Sequence, residues 1–189
     1  MSVTYTNYLK INELLELQQL KSDPPEHDET LFIIIHQTYE LWFKQIIHEF
    51  GKLNKELSVG STWTSIKTMR RILTIMKTLV SQVDILETMT PLEFNSFRKF
   101  LGQSSGFQSL QFREVEILCG LRSPIMKEAH KDDPKNLRIL ETKMKEPTIW
   151  ESFCKYLSHK EFLVSAEREN EKGLMFNTSS ENQKELIKM

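Results

Sequence analysis

The sequence predicts an all-α protein built as a helical bundle. Apolar residues recur at three- and four-residue spacing along most of the chain, which is the period of an amphipathic helix. No segment alternates apolar and polar residues as a half-buried strand does, and the sequence contains neither an internal repeat nor a glycine-rich nucleotide loop. A length of 189 residues with 39% hydrophobic residues suffices for one domain with its own core.

The sequence pattern predicts three helices in the N-terminal half of the chain. Leucines at helical spacing predict a first helix from Leu9 to Leu20, before a break at Ser22-Asp23-Pro24-Pro25, because proline cannot continue a helix interior. A long helix should begin near residues 26–28, where acidic side chains suit a helix N-terminus, and run to about Leu57. After a turn, Thr62 is placed to cap the next long helix.

In the C-terminal half of the chain, the sequence pattern predicts shorter helices. Thr90-Pro91 should open one that ends near Leu101-Gly102, since proline is favoured at the first helical position. The polar loop QSSG, residues 103–106, precedes a helix from about Phe107 to Cys119. Three more helices are expected over roughly 122–131, 134–145 and 147–157. We therefore predict a helical domain over 1–164 and a polar tail over 165–189, which is either helical, disordered or ordered against a partner.

Composition excludes several classes of function. A net charge of −1 lacks the concentrated basic surface that nucleic acid binding requires. The longest apolar run, residues 31–35, is far too short to cross a membrane, and residues 1–10 do not resemble a signal peptide. The two cysteines have neither CxxC spacing nor the density of a disulfide scaffold. We therefore expect a cytoplasmic protein with reduced thiols and no membrane partner.

Three pairs of residues indicate a pocket, because each pair has the spacing of neighbours on one helix face. Tyr5 and Tyr8 are three residues apart, and Phe32 and His36, like Phe94 and Arg98, are four apart. An aromatic ligand with a carboxylate would use such groups: rings for apolar contact, Arg98 for the carboxylate, and His36 for one hydrogen bond. The same pattern is typical of a helical interaction protein in which His36 is a satisfied core histidine. The spacing leaves both interpretations open.

Long motifs resemble the tryptophan 2,3-dioxygenase family. They are TYTNYLKINELLELQ (4–18), HDETLFIIIHQTYELWFKQ (27–45) and TPLEFNSFRKFLGQSSGFQSLQFREVE (90–116), and the likeness extends from about Thr4 to Tyr156 in one order. The resemblance implies an all-α bundle of that type and a haem-dependent, oligomeric enzyme. Such an enzyme inserts both atoms of O2 into the indole of L-tryptophan to give N-formylkynurenine.

The resemblance also implies residue roles. His36 matches the histidine that hydrogen-bonds the indole N–H, Phe32 and Phe94 match aromatic positions around the indole, and Arg98 matches the arginine that pairs with the substrate carboxylate.

Further residues match parts of the site that other elements contribute. Ser105 and Gly106 match the loop beside haem and substrate. Tyr5, Tyr8 and Leu9, the first two of which lie three residues apart, match residues that reach into the pocket of a neighbouring subunit. A pocket shared across subunits is therefore expected.

The sequence departs from the family's pattern at the haem ligand. The family's proximal histidine and a following glycine-rich loop lie beyond the residues present here, and neither His130 nor His159 stands in a matching context. The bundle is thus expected to be incomplete without a C-terminal part or a partner chain. Three explanations compete: a second polypeptide supplies the axial ligand of haem b, the chain is a fragment of a longer dioxygenase, or it is a haem-free module that binds tryptophan or a related indole.

Overall fold

The computed structural model describes residues 3–123, 128 and 130–162, and all regular secondary structure in these ranges is helical. The predicted tail over 165–189 lies outside the described residues, as do residues 124–127 and 129 of the predicted helix over 122–131. The helices are α1 (Tyr5–Leu9), α2 (Ile11–Leu15), α3 (His27–Ser58), α4 (Thr62–Leu86), α5 (Pro91–Arg98), α6 (Leu110–Leu118), α7 (Pro134–Lys143) and α8 (Ile149–His159), with 3₁₀ turns at Lys99–Leu101 and Gly106–Gln108.

The prediction of an all-α fold is confirmed, and local capping explains several helix starts. Thr90 caps α5 as predicted: its hydroxyl accepts the Glu93 N–H, the Glu93 carboxylate accepts the Thr90 N–H, and Pro91 occupies the first turn. Thr148 and Glu151 form the same reciprocal arrangement at α8. Each pair satisfies two backbone donors that a helix start otherwise leaves open.

The prediction of one helix from Leu9 to Leu20 is wrong. Two five-residue helices, α1 and α2, are separated by Lys10, whose φ of 54° lies in the left-handed region, and residues 16–26 are not helical. The leucines explain the failure, since Leu15 is 70% exposed and Leu17 is 59% exposed. A helix gains most of its stability when its apolar face is buried against other elements. These leucine side chains are exposed, so their spacing does not stabilise a helix.

The chain divides into two compact units, and α3 and α4 contribute residues to both. Among the described residues, the first unit comprises those up to Tyr39 and Thr78–Gly106, and the second comprises Glu40–Lys77 and those from Phe107 onward. In the first unit, Phe97 is fully buried and Ile35 nearly so. The Tyr39 hydroxyl donates to the Leu79 carbonyl at 2.7 Å and so links α3 to α4 within this unit.

The core of the second unit is formed by α3, α4, α6 and α7. The buried residues of α3 in this unit include Ile46, Leu53 and Leu57. Ile117 of α6 and Leu140 of α7 are also buried, and these two side chains pack against each other. An ion pair between Lys143 and Glu114 at 3.5 Å links α7 to α6. None of the helices among the described residues is long and apolar enough to cross a membrane.

Candidate functional site

Four aromatic rings of the first unit form a cluster that joins α3 to α5. Phe32 of α3 lies at ring-centroid distances of 4.1 Å from His36, 5.7 Å from Phe94 and 5.6 Å from Phe97. Phe94 and Phe97 are 5.5 Å apart with ring planes at 86°. These are the offset and edge-to-face arrangements that aromatic rings prefer. Phe97 is fully buried, whereas the other three rings are partly exposed, so the cluster has a buried base and an accessible side.

The His36 ring is held by its own helix. Its Nδ1 lies 2.7 Å from the carbonyl oxygen of Phe32, one turn earlier. Because a carbonyl can only accept, Nδ1 carries the hydrogen, and the neutral ring then has an unprotonated Nε2. The bond therefore fixes both the orientation of the ring and its tautomer. It leaves one hydrogen-bond acceptor at the edge of the aromatic cluster.

Arg98 ends α5, one turn after Phe94. Its Nη1 donates to the carbonyl oxygen of Gly102 at 2.8 Å. Gly102 has φ 58° and ψ −128°, a backbone conformation that residues with a Cβ rarely adopt. The remaining guanidinium donors are in a partly exposed side chain. Arg98 is thus oriented by a loop whose shape depends on glycine, and it retains donors for an anionic ligand.

The loop that follows Arg98 is exposed. Ser105 and Gly106 both lie at the surface of the first unit, and Gly106 begins a 3₁₀ turn. A Cβ added at Gly106 would meet no atom within 4 Å, so there is open space beside the backbone at this residue. A flat ligand could approach the backbone there.

The N-terminal helices carry the other predicted residues. Tyr5 and Tyr8 are each 75% exposed and Leu9 is 43% exposed. Tyr5 and Tyr8 share the single helix α1, as their spacing predicted. The apolar parts of these side chains are thus available for contact with another molecule.

The chain between α2 and α3 is anchored beside His36. The Gln37 side chain donates to the Leu17 carbonyl at 3.2 Å and accepts from the Gln18 amide at 2.6 Å. In the first turn of α3, Glu29 is fully buried and accepts the N–H groups of Lys21 and Ser22 at 2.7 and 2.9 Å. This explains why polar residues adjoin an apolar run in α3.

Glu29 is held as a carboxylate. Burial alone would raise its pKa, but the hydrogen bonds from Ser22 and Lys21 outweigh burial, so the pKa of Glu29 lies below its ordinary value of 4.5. A charged acceptor makes stronger hydrogen bonds than a neutral one. The segment that carries α1 and α2 is therefore fixed to α3 by charge-assisted bonds.

Sequence reasoning identified four residues that the structure gathers in the first unit, namely Phe32, His36, Phe94 and Arg98, and missed two that support them. Phe97 forms the base of the aromatic cluster, and its spacing of three from Phe94 is the signal that could have revealed it. Gly102, which orients Arg98, had no such signal.

The described residues offer no ready-made metal centre. Within residues 3–123, 128 and 130–162, no group of three His, Cys, Asp or Glu side chains could hold a metal ion. Both cysteines, Cys119 and Cys154, are free thiols, and burial raises the pKa of the Cys154 thiol. Haem is planar and largely apolar, so the partly exposed rings of Phe32 and Phe94 and the open space beside the Gly106 backbone are the features of the first unit that could contact it.

Comparison with known proteins identifies relatives along nearly the whole chain. A family model described as tryptophan 2,3-dioxygenase matches residues 1–172. A tryptophan 2,3-dioxygenase of Herpetosiphon aurantiacus is 50% identical over 167 residues, which cover 88% of this chain and 64% of the relative. Relatives of the same name from Nocardioides sp. and Xanthomonas euvesicatoria are 43% and 41% identical; the matches cover 88% and 82% of this chain and 64% and 52% of those proteins. The chain thus spans less than two thirds of these relatives' lengths.

Proposed function

Because this chain belongs to the tryptophan 2,3-dioxygenase family, we propose that it is the substrate-binding part of a haem-dependent dioxygenase. The substrate is L-tryptophan or a closely related indole, and the product is N-formylkynurenine. The observation that carries this proposal is the hydrogen bond from His36 Nδ1 to the Phe32 carbonyl, which leaves Nε2 as an acceptor on a ring that packs against Phe32 of the aromatic cluster. An indole N–H beside an apolar ring is the chemical complement of that arrangement.

Each residue of the proposed site has one role in binding the substrate. The partly exposed rings of Phe32 and Phe94 contact the indole, His36 Nε2 accepts the indole N–H, and Arg98 pairs with the carboxylate. Arg98 keeps its bond to Gly102 while it binds, because a guanidinium has five donors. The substrate is then fixed at both ends, which holds its C2–C3 bond in a single orientation for oxidation.

Haem b, when bound, supplies the iron that activates O2. Ser105 and Gly106 would lie along it, where the open space beside Gly106 admits a planar group. We propose that the axial ligand comes from the polypeptide that corresponds to the remaining part of the relatives. The chain itself carries the helical domain over 1–164 and the tail over 165–189.

The N-terminal helices act between subunits in this proposal. Tyr5, Tyr8 and Leu9 are exposed, and the segment that carries them is anchored at Gln37 and Glu29. We propose that they reach the pocket of a neighbouring subunit, so that the site is completed by oligomerisation. Exposed aromatic rings on an anchored segment suit such a contact.

Calorimetric titration with three ligands tests the substrate assignment. L-Tryptophan offers both recognition groups, tryptamine lacks the carboxylate, and 1-methyl-tryptophan lacks the indole N–H. Arg98→Ala should weaken L-tryptophan binding roughly tenfold to a hundredfold, the value of a hydrogen bond to a charged group, but should leave tryptamine binding unchanged. His36→Ala should weaken L-tryptophan binding by a smaller factor and leave 1-methyl-tryptophan unaffected.

Lys99→Ala is the matched control for Arg98→Ala, since it removes the adjacent exposed cation, which lies over the Phe100 ring. It should bind all three ligands like the wild type. Unchanged affinity for L-tryptophan in Arg98→Ala would contradict the carboxylate assignment. Equal losses for L-tryptophan and tryptamine would indicate that the substitution merely disturbs the fold.

A further inference from the structure

Within the second unit, helix α4 has a buried face and a second, apolar face that is partly exposed. One face is buried and includes Ser65, Thr68, Ile72 and Ile75. This face is joined to α3, because the Thr68 hydroxyl donates to Glu56 at 2.7 Å and Arg71 donates to Glu49 at 2.9 Å on the adjoining side. Its packing partner is therefore already present in the chain.

The other face is an outer seam formed by Ile66, Met69, Leu73 and Met76. These residues are spaced by three, four and three, which is the spacing of the two core positions in a coiled coil. Ile66 is 41% exposed and Leu73 is 57% exposed, while the two methionines are half-buried. A helix that already has one buried face does not need a second apolar stripe for its own folding.

Basic residues flank the outer seam on one side. Arg70 and Lys77 each follow a seam residue by four, are exposed, and form no salt bridge with any residue that the structure describes. Positions of this kind select the partner helix in coiled coils through opposite charge. A partner helix that pairs with both basic residues would therefore carry two acidic side chains seven residues apart, the same separation as Arg70 and Lys77.

A second copy of this chain does not meet that specification. In an antiparallel pair, Arg70 and Lys77 of one copy would face the same basic residues of the other, which repels. A parallel pair would instead need Ser65 and Ile72 at the charge-selecting positions, and both are buried within the unit.

We propose that the outer seam of α4 is the docking surface for a helix of the polypeptide that supplies the remaining part of the family's fold. This inference rests on the proposed function, which requires such a polypeptide. It also rests on the relatives, because more than a third of each relative's length lies outside the match to this chain. The docking helix carries an apolar stripe for Ile66 and Leu73 and two carboxylates that pair with Arg70 and Lys77.

A binding measurement tests the inference. The probe is the part of the Herpetosiphon aurantiacus relative outside its match to this chain, produced as a separate polypeptide and titrated into the full chain by calorimetry. Ile66→Gln/Leu73→Gln should weaken binding at least tenfold, because two apolar side chains then lose their buried contacts. Arg70→Glu/Lys77→Glu should weaken binding similarly and should reverse the loss of affinity that added salt causes in the wild type.

Two control variants accompany them. Lys67→Glu changes the charge of an exposed residue on the same helix but away from the seam, and Val59→Gln changes an apolar residue that is 78% exposed. Both should bind the probe like the wild type. Circular dichroism of every variant verifies that the helices are retained.

Three results would overturn the inference. The first is a wild-type chain that does not bind the probe. The second is tight binding that the seam variants leave unchanged, in which case a complementing polypeptide exists but docks elsewhere. The third is a self-associated chain that Ile66→Gln/Leu73→Gln converts to monomers in sedimentation. L-Tryptophan binding by the chain alone, measured on the same sample, reports separately on the proposed function.

Discussion

Glu29 should be one of the most sensitive single positions for the stability of the first unit. Its carboxylate is fully buried at the start of α3 and accepts two backbone N–H groups, from Lys21 at 2.7 Å and Ser22 at 2.9 Å. A hydrogen bond to a charged group contributes about 1.5–3 kcal/mol. Glu29→Ala loses both bonds and leaves two donors without a partner, so it should lower the free energy of unfolding by roughly 3–5 kcal/mol.

Glu29→Gln separates charge from shape. The amide oxygen of Gln can still accept one backbone N–H, but its NH2 group is a donor and cannot accept the other. The loss in the free energy of unfolding should therefore be about half that of Glu29→Ala. Urea unfolding, followed by circular dichroism at pH 7, gives the three free energies. Glu16→Gln is the matched control, because Glu16 is exposed, and it should unfold like the wild type.

The pH dependence of these values tests the cause. Because the pKa of Glu29 is lowered in the folded chain, its contribution is complete above its ordinary value of 4.5 and is lost as the pH falls through the folded-state pKa. The stability difference between the wild type and Glu29→Gln should therefore be constant near neutral pH, from about pH 6 to about pH 8, and should shrink below about pH 4.5. A difference that does not change with pH, or no difference at all, would refute the reasoning.

Three further perturbations follow from the structure. Phe97→Ala removes the fully buried base of the aromatic cluster and should cost about 3–5 kcal/mol in thermal unfolding, with weaker L-tryptophan binding as a second effect. Gly102→Ala adds a methyl group that meets no atom within 4 Å, so the substitution acts through the backbone conformation rather than through a clash. The Gly102 carbonyl should turn away from Arg98. The affinity for L-tryptophan should then fall in calorimetry, whereas the affinity for tryptamine should not. Arg71→Met leaves the Glu49 carboxylate buried without its cation and should destabilise the chain by about 1–3 kcal/mol at pH 7 in urea unfolding. Although burial opposes it, Arg71 helps hold the pKa of Glu49 below its ordinary value of 4.5, so the cost should decrease as the pH falls below 4.5 through that lowered pKa.

Each of these has an outcome that contradicts it. A Phe97 variant as stable as the wild type would mean that the cluster is not a packing core. An equal loss of affinity for L-tryptophan and tryptamine in the Gly102 variant would exclude an effect through Arg98. A cost of Arg71→Met that is the same at pH 4 and pH 7 would show that the charge of Glu49 is not its origin.

Sequence alone could predict those parts of the fold that depend on local chemistry. The start of α5 follows from Thr90 and Pro91, because a cap and a fixed φ act within one turn. The first helix could not be predicted by spacing, since whether Leu15 and Leu17 are buried depends on the rest of the molecule. Periodicity shows that a face is apolar but does not show what covers it.

For the candidate site, the sequence predicts which residues belong to it, a prediction that stays open, but not their geometry. Phe32, His36, Phe94 and Arg98 share helical spacing, and family resemblance gives their expected roles. The tautomer of His36 depends on a bond to a backbone carbonyl, and the orientation of Arg98 depends on Gly102. Both are set by three-dimensional contacts that spacing does not encode.

The absorption spectrum of the chain with haem tests the central claim most directly. The full chain is mixed with haem, with or without the remaining part of the Herpetosiphon aurantiacus relative as a separate polypeptide, and L-tryptophan is then added. We predict no sharp Soret band for the chain alone, and a sharp band that shifts with L-tryptophan when the second polypeptide is present. A sharp, tryptophan-responsive band from the chain alone would contradict the account, because the axial ligand would then lie within this chain.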